Sequence, residues 1–574
     1  MVEDVYEPLA RYRGEFRAKF AQLTRDKFAE LTTASGVDVD ANRRTVRQVD
    51  GLERKLSGAR ARRGLWCTLM ILGYAAAGIC AILGTQSPLD TRAPLFGGGV
   101  VALALAVWMT VLFSRTGDEV RSLQKRIREQ KAIAWQQMEA LNRLYTWDIT
   151  TRLVEKTVPR LDFDPFFAAH RLADLRRLYG WDDHFNDGKS ILFAQSGVIN
   201  GNPFLLGEYL EMEWRAETYT GHLEISWRER ETDSEGRSRW VTRHQTLTAS
   251  VRKPAPNYAT RKILVYGNDA APNLTFSREP SGLDADGLFT GVRKWWRLRG
   301  LKAFSRNLKD ESQFTLMGNH EFETWFHAKD RDNEVEFRML FTALAQTQML
   351  ALMKDKTVGF GDDFVFQKRH RLNFLFSRHL ADAPIDTAPE RFRDWNYDRA
   401  AATFQAFNEK YFRDVYFALA PLLAIPLYQQ TRTHEEIWKG VVDSDASSFW
   451  EHEATANYYG DGRFKHEDCI TRNILKTEVT DRKDGVSRVE VTAHGYRGVE
   501  HVEYVETRGG DGHYHNVPVK WIEYLPVERT SEMFVAEAEN PSAAFRENFK
   551  ASSAAVLRRS IRAYLACGKN GAVA

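Results

Sequence analysis

Two uncharged apolar runs, Leu65–Leu83 and Leu95–Phe113, constrain this chain more than any other stretch, and each is 19 residues long. At about 1.5 Å of rise per helical residue, either run nearly crosses the roughly 30 Å hydrocarbon core of a bilayer. The connection Gly84–Pro94 holds two prolines and a glycine, which predicts a turn between two helices. The competing reading is a pair of helices buried in a globular core. Charge-free runs of this length with basic flanks weigh against it.

The flanks give an orientation. Arg54, Lys55, Arg60, Arg62 and Arg63 precede the first run, and Arg115, Arg121, Lys125, Arg126 and Arg128 follow the second. The connection carries only Arg92, opposed by Asp90. Positive charge stays on the cytoplasmic side, so the pattern predicts an inner (cytoplasmic) membrane protein with two spans and both termini cytoplasmic. The N-terminal MVEDVYEPLA is acidic, unlike a signal peptide, so the first span is expected to direct insertion.

Most of the remaining mass reads as soluble. Mean hydropathy is negative despite the hairpin. There are 80 basic against 77 acidic residues, a net charge of +3, so no global field points to nucleic acid. The 4 cysteines are scattered and match neither a disulfide framework nor a zinc spacing, in keeping with a reducing compartment.

Leu9, Tyr12, Phe16, Phe20, Leu23, Phe28 and Leu31 predict an amphipathic helix over 5–34. A narrower stripe through Val46, Val49, Leu52 and Leu56 runs into the first span, and Val120, Leu123, Ile127, Ala134 and Leu141 resume it after the second. These helices predict a stalk or small coiled-coil-like bundle, intramolecular by preference, with self-association as the alternative. The expected division is a stalk at 1–64, the hairpin at 65–113, a helical return and connector at 114–180, and two α+β regions at 181–390 and 391–574.

From Ser190 the texture becomes α+β. Strands are expected at 190–200, 204–214, 223–230, 240–251, 358–367 and 372–376, the last two joined by the basic turn Lys368-Arg369-His370-Arg371. A helix is expected at 335–353, and loops at 253–256 and 269–280. In the tail, Val415–Tyr428 with Pro421 and Pro426 reads as a buried strand or extended core segment. Strands are expected at 486–494, 499–507 and 513–525, and a helix at 542–565. Hairpins without βαβ alternation indicate antiparallel sheets.

Gly201-Asn202-Pro203-Phe204 followed by Glu208 and Glu211, then Glu321-Phe322-Glu323, Phe326, Asp332, Val335-Glu336 and Arg338, form a series of spaced motifs. With the helical N-terminus and the two-span hairpin, they resemble a bacterial domain-of-unknown-function family of two-span membrane proteins over about 185–380. The resemblance implies location and architecture, and brings no activity or catalytic residues. Extra loops around 230–300 and the tail after 390 depart from the family pattern.

Few constellations carry chemistry. A four-residue GGDG turn at 509–512 would set His515 opposite Glu506 and His513 opposite Arg508, with His513, His515 and Glu506 as candidate metal ligands. The plainer reading is loop-end polar residues, with Val517, Val519 and Trp521 beside Tyr504 and Val502. His-Glu pairs at 320, 434, 452 and 466 lack the second His of a zincin. Cys469 reads as an inert thiol. Arg293, Lys294, Trp295, Trp296, Arg297, Arg299 and Lys302 form a basic, tryptophan-bearing cluster suited to an anionic membrane surface.

The sequence therefore predicts an α+β protein with a helical stalk and membrane hairpin. It leans away from an enzyme, toward a scaffold or accessory subunit of an envelope or membrane complex. No cofactor is expected. The expected partners are the lipid bilayer and other proteins, with nucleic acid disfavoured. The alternative is a membrane-tethered metal-dependent hydrolase.

Overall fold

The computed structural model describes residues 5–86, 88–232, 238–283, 299, 315–431, 446–537 and 541–565. The architecture is α+β, and the chain forms two compact units that interleave along the sequence. Residues 21–149 and 387–409 make the helical unit; residues 1–20, 150–386 and 410–574 make the β-rich unit.

In the helical unit, two helices dominate, Val39–Gln86 and Leu89–Leu144, of 48 and 56 residues. Each carries an apolar window long enough to cross a membrane, and only 6% of each window is buried. A core helix would be mostly covered; these are bare. The turn between them is shorter than the expected 84–94 connection, because Pro94 lies inside the second helix. Near a helix start its missing N–H removes only one intrahelical bond.

The helices touch through small residues. A Cβ on Gly73 would lie 3.0 Å from the Ala106 Cβ, and Tyr74 shares a 3.0 Å hydrogen bond with Thr110. Beyond the apolar windows, Val49, Leu56 and Ala59 pack against Val120, Leu123 and Ile127. Arg62–Glu119 (2.9 Å) and Lys131–Glu53 (2.8 Å) flank that seam.

The β-rich unit holds two antiparallel sheets. The first has the order β1-β2-β3-β4-β7-β6-β5, with β1 Leu161–Phe163, β2 Lys189–Ile199, β3 Asn202–Thr232, β4 Ser238–Gly267, β5 Thr275–Arg278, β6 Phe364–Arg369 and β7 Leu372–Ser377. The second is β11-β12-β10-β9-β8, with β8 Ile474–Lys483, β9 Val486–Arg508, β10 Tyr514–Ala536, β11 Ala555–Arg558 and β12 Ile561–Leu565. Tight turns set the hairpins: Asn200-Gly201 and Asp484-Gly485 both take two positive φ values, as a two-residue turn matched to strand twist requires.

β3 and β4 pair continuously from Phe204↔Tyr266 to Thr232↔Ser238, but only Leu264–Gly267 of β4 also meets β7. The free length packs one face on β9–β10 through Leu247, Ala249, Val517 and Val519. Gly221 makes the crossing possible, since a Cβ there would collide with the Pro518 carbonyl.

A buried helix, Phe449–Tyr459, joins the two cores: Trp450 and Ala454 belong to one, Ala456 to the other. Its consecutive Glu451, His452 and Glu453 are all buried and all partnered. Glu451 takes the Phe167 N–H (2.9 Å), Arg558 (2.5 Å) and Arg559 (2.9 Å). Glu453 takes Asn186 and the Ile191 N–H, both at 3.0 Å.

Several expectations are corrected. Val415–Tyr428 is helical, not extended: Pro421 falls in the last turn of Tyr397–Leu423, and Pro426 opens the next helix, where an absent N–H costs nothing. Residues 253–256 are strand, not loop. Pro254 and Pro256 have the same parity and lie on the part of β4 that pairs with β3 alone, the kind of strand that accommodates proline. The loop at 269–280 contains β5. The closing helix stops at Ala551, and Arg559 at φ 55 turns the following β11–β12 hairpin. The helix at 335–353 is two, Glu334–Leu340 and Ala343–Lys354, the second capped by Thr342.

Candidate functional site

A cleft of about 830 Å³ opens in the β-rich unit between residues 177–189 and the β6–β7 hairpin. Its wall begins where the helix Ala169–Tyr179 ends at Gly180, whose φ of 77 suits the left-handed cap. The chain then runs through Trp181 and a short 3-10 turn, Asp183–Asn186, into β2. Gly267 lets this wall close on the sheet: a Cβ there would meet the Tyr179 ring at 2.8 Å.

The floor follows from strand register. Leu372, Phe374 and Phe376 alternate onto one face of β7, and their partners on β6, Arg369, Gln367 and Val365, share that face. Trp181 lies 6.0 Å from the Phe374 ring and 5.3 Å from Phe185, so aromatic packing joins wall to floor.

The charge on the lining is one-sided. Arg177, Lys189, Arg369 and Arg371 line the cleft with His184 and His370, and among the described residues Asp182 is the one lining carboxylate. Arg371 is held by donating to the Leu178 carbonyl (3.1 Å) and lies 3.4 Å from Asp269. Lys189 donates to the Phe185 carbonyl at 2.7 Å and sits 4.3 Å from the Phe185 ring centroid. Arg369 rests 5.7 Å from the Phe374 centroid and has no ion pair among the described residues. On the helix behind the wall, burial raises the Asp174 carboxyl above its ordinary range. Among the described residues the lining has no serine, threonine or cysteine. This arrangement can hold negative charge beside apolar rings.

The candidates read from sequence fare differently. In the last hairpin the loop runs one residue longer than GGDG, with the Gly509 N–H donating to the His513 carbonyl at 2.8 Å. The register therefore shifts by one: His515 faces Thr507, and Glu506 faces Asn516. Glu506 and His515 fall on opposite faces of the hairpin, and His515 instead meets Asp511 at 3.0 Å. No metal-holding group of three His, Cys, Asp or Glu is present among the described residues. On the buried face Val517 lies opposite Val505, while Tyr504 and Val502 point to solvent. Arg293, Lys294, Trp295, Trp296, Arg297 and Lys302 lie outside the described residues; Arg299 is described and exposed. Cys469 is buried, with Sγ 3.4 Å from Asn473 Oδ1.

Ser447, His452 and Glu537 come together without having been foreseen. Ser447 Oγ is 2.9 Å from His452 Nε2 and donates to Glu537 at 2.5 Å. A nucleophilic relay needs the carboxylate on the far imidazole nitrogen. Here the hydroxyl lies between the two, His452 Nδ1 is unpartnered, and all three side chains are buried. This cluster is architecture.

The motif residues of the family resemblance are also structural. Arg331 is buried against Glu323 (2.8 Å) and Glu334 (2.7 Å), Asp332 accepts the Thr275 N–H, and Glu336 accepts the Asn273 N–H. They fasten 320–340 to β5 and the residues before it. Of the cleft, only the basic turn 368–371 was visible in advance. Comparison with protein-family models, curated proteins and solved structures finds no match.

Proposed function

We propose that this chain is a two-span inner-membrane protein with both termini cytoplasmic, related to the two-span family it resembles. On this reading its β-rich unit serves as a non-catalytic scaffold or accessory subunit of a membrane complex. One observation carries the reading: only 6% of each of two apolar helical windows is buried by protein, when burying each side chain of that kind in an apolar phase is favourable by about 1.5–3 kcal/mol. A bilayer supplies that phase. The basic flanks supply the orientation. A binding role for the β-rich unit draws support from the cleft, whose described lining is cationic and aromatic.

Membrane fractionation with alkaline carbonate washing tests the anchor, and reporters fused at the C-terminus and within 84–94 test the topology. The full-length chain should resist extraction, with the C-terminal reporter active inside and the loop reporter active outside. Release into the soluble fraction without detergent refutes the anchor; the opposite reporter pattern refutes the orientation. Crosslinked pull-down from mild detergent tests the scaffold role. A protein partner should be recovered in stable ratio to the chain, and recovery of the chain alone would count against it.

A further inference from the structure

We propose that the cleft between residues 177–189 and the β6–β7 hairpin is a binding site for a small soluble organic anion: a phosphate or carboxylate joined to a flat apolar group. The proposal is independent of the membrane anchor, and either can fail alone.

Three features converge on this ligand class. The first is size. About 830 Å³ lies within the range of small-molecule pockets and is far too small for a folded partner.

The second is charge. Arg177 and Lys189 stand on the wall and Arg369 on the floor, while Asp182, the one lining carboxylate among the described residues, already accepts the His184 N–H at 3.0 Å. Cations gathered in a cleft with apolar walls focus their field, so an anion gains more there than on an open surface. Arg369 has no carboxylate to displace, and its planar guanidinium suits a two-oxygen acceptor.

The third is shape. Phe374 and Phe376 are half-buried in the floor, and the Arg369 guanidinium lies by the Phe374 ring, so ring face and cation are presented together. A flat group can lie on such a face while its attached anion reaches the arginine. An inorganic anion leaves the rings wet, and a neutral aromatic leaves Arg369 without an anion, whereas Arg177 and Lys189 keep Asp174 (3.7 Å) and Glu211 (3.9 Å). Recognition therefore needs both halves in one molecule.

The test uses the full chain in phosphatidylcholine nanodiscs, titrated calorimetrically with naphthyl phosphate, naphthol and inorganic phosphate. Naphthyl phosphate should bind at least ten-fold more tightly than either half. The double variant Arg177→Gln/Arg369→Gln, changed at exposed positions, should lose at least ten-fold for naphthyl phosphate and leave naphthol binding unchanged. Phe374→Leu should lower affinity for naphthyl phosphate and leave inorganic phosphate unchanged. Unaltered thermal melting separates these effects from misfolding. The proposal is overturned if none of the three probes binds, if naphthyl phosphate binds no better than one of its halves, or if the arginine variant binds as the parent does. Binding that appears only when phosphatidic acid is placed in the disc also overturns it, since the ligand would then be a lipid.

Discussion

Glu451 and Glu453 stand two residues apart on one buried helix, and replacing each with glutamine should give losses of unequal size. Glu451 is held by three donors, two of them buried guanidinium groups, and their charges keep its pKa low despite burial. Glu451→Gln takes from the buried Arg558 and Arg559 the carboxylate with which both pair. Breaking a buried pair from one side costs about 3–5 kcal/mol. Glu453 differs: burial pushes it up to about 7, with Lys476 only partly offsetting the effect. Its carboxyl is therefore largely protonated below neutrality, so glutamine preserves its charge state, but both oxygens accept and the new amide must turn its NH2 toward one of the donors that Asn186 and the Ile191 N–H present. At pH 6, Glu453→Gln should cost about 1–3 kcal/mol, the penalty of one unsatisfied buried donor. The assay is urea unfolding of the purified protein in detergent, followed by loss of the β signal in far-UV circular dichroism. At an m-value of about 2–3 kcal/mol/M, Glu451→Gln should lower the midpoint by roughly 1–2.5 M. The reasoning is refuted if Glu451→Gln unfolds within about 0.3 M of the parent, or if the two variants lose equally.

The pH dependence follows from the same pair. A lowered Glu451 contributes stability above its unfolded pKa that is lost as pH falls through the folded value; a raised Glu453 contributes stability below its unfolded pKa that is lost as pH rises toward about 7. The parent should lose stability between about pH 4.5 and 7, and Glu453→Gln should flatten that slope in urea titrations repeated across pH. Gly267→Ala should drive the new Cβ into Tyr179, destabilise by about 1–3 kcal/mol, and loosen the cleft wall, read as faster amide exchange over 177–189. Gly221→Ala should part the two long hairpins at Pro518, raising exchange at 217–225 and 515–521 while the sheet interiors stay protected. Chelator treatment should leave the melting temperature within a degree, because His513, His515 and Glu506 do not converge; a large drop would restore the metal reading.

The chain states its own local preferences plainly. Nineteen uncharged residues between arginines form an apolar helix wherever they are placed, and Asn-Gly or Asp-Gly between alternating segments turns a hairpin, because both signals act over a few neighbours. Decisions that depend on a distant partner could not be read this way. Whether Val415–Tyr428 is strand or helix turns on which surfaces bury it, and burial of every residue from 415 to 425 outweighs the one helical hydrogen bond that Pro421 removes. The register of β9–β10 depends on a loop one residue longer than its glycines implied, which moves Glu506 away from His515. The cleft assembles residues 177–189 with 367–376, and nothing in either segment announces the other. Local sequence determined where the apolar helices and turns fall; only tertiary packing decided which distant charges meet, since a carboxylate is governed by whatever the fold sets within a few ångströms of it, near or far along the chain.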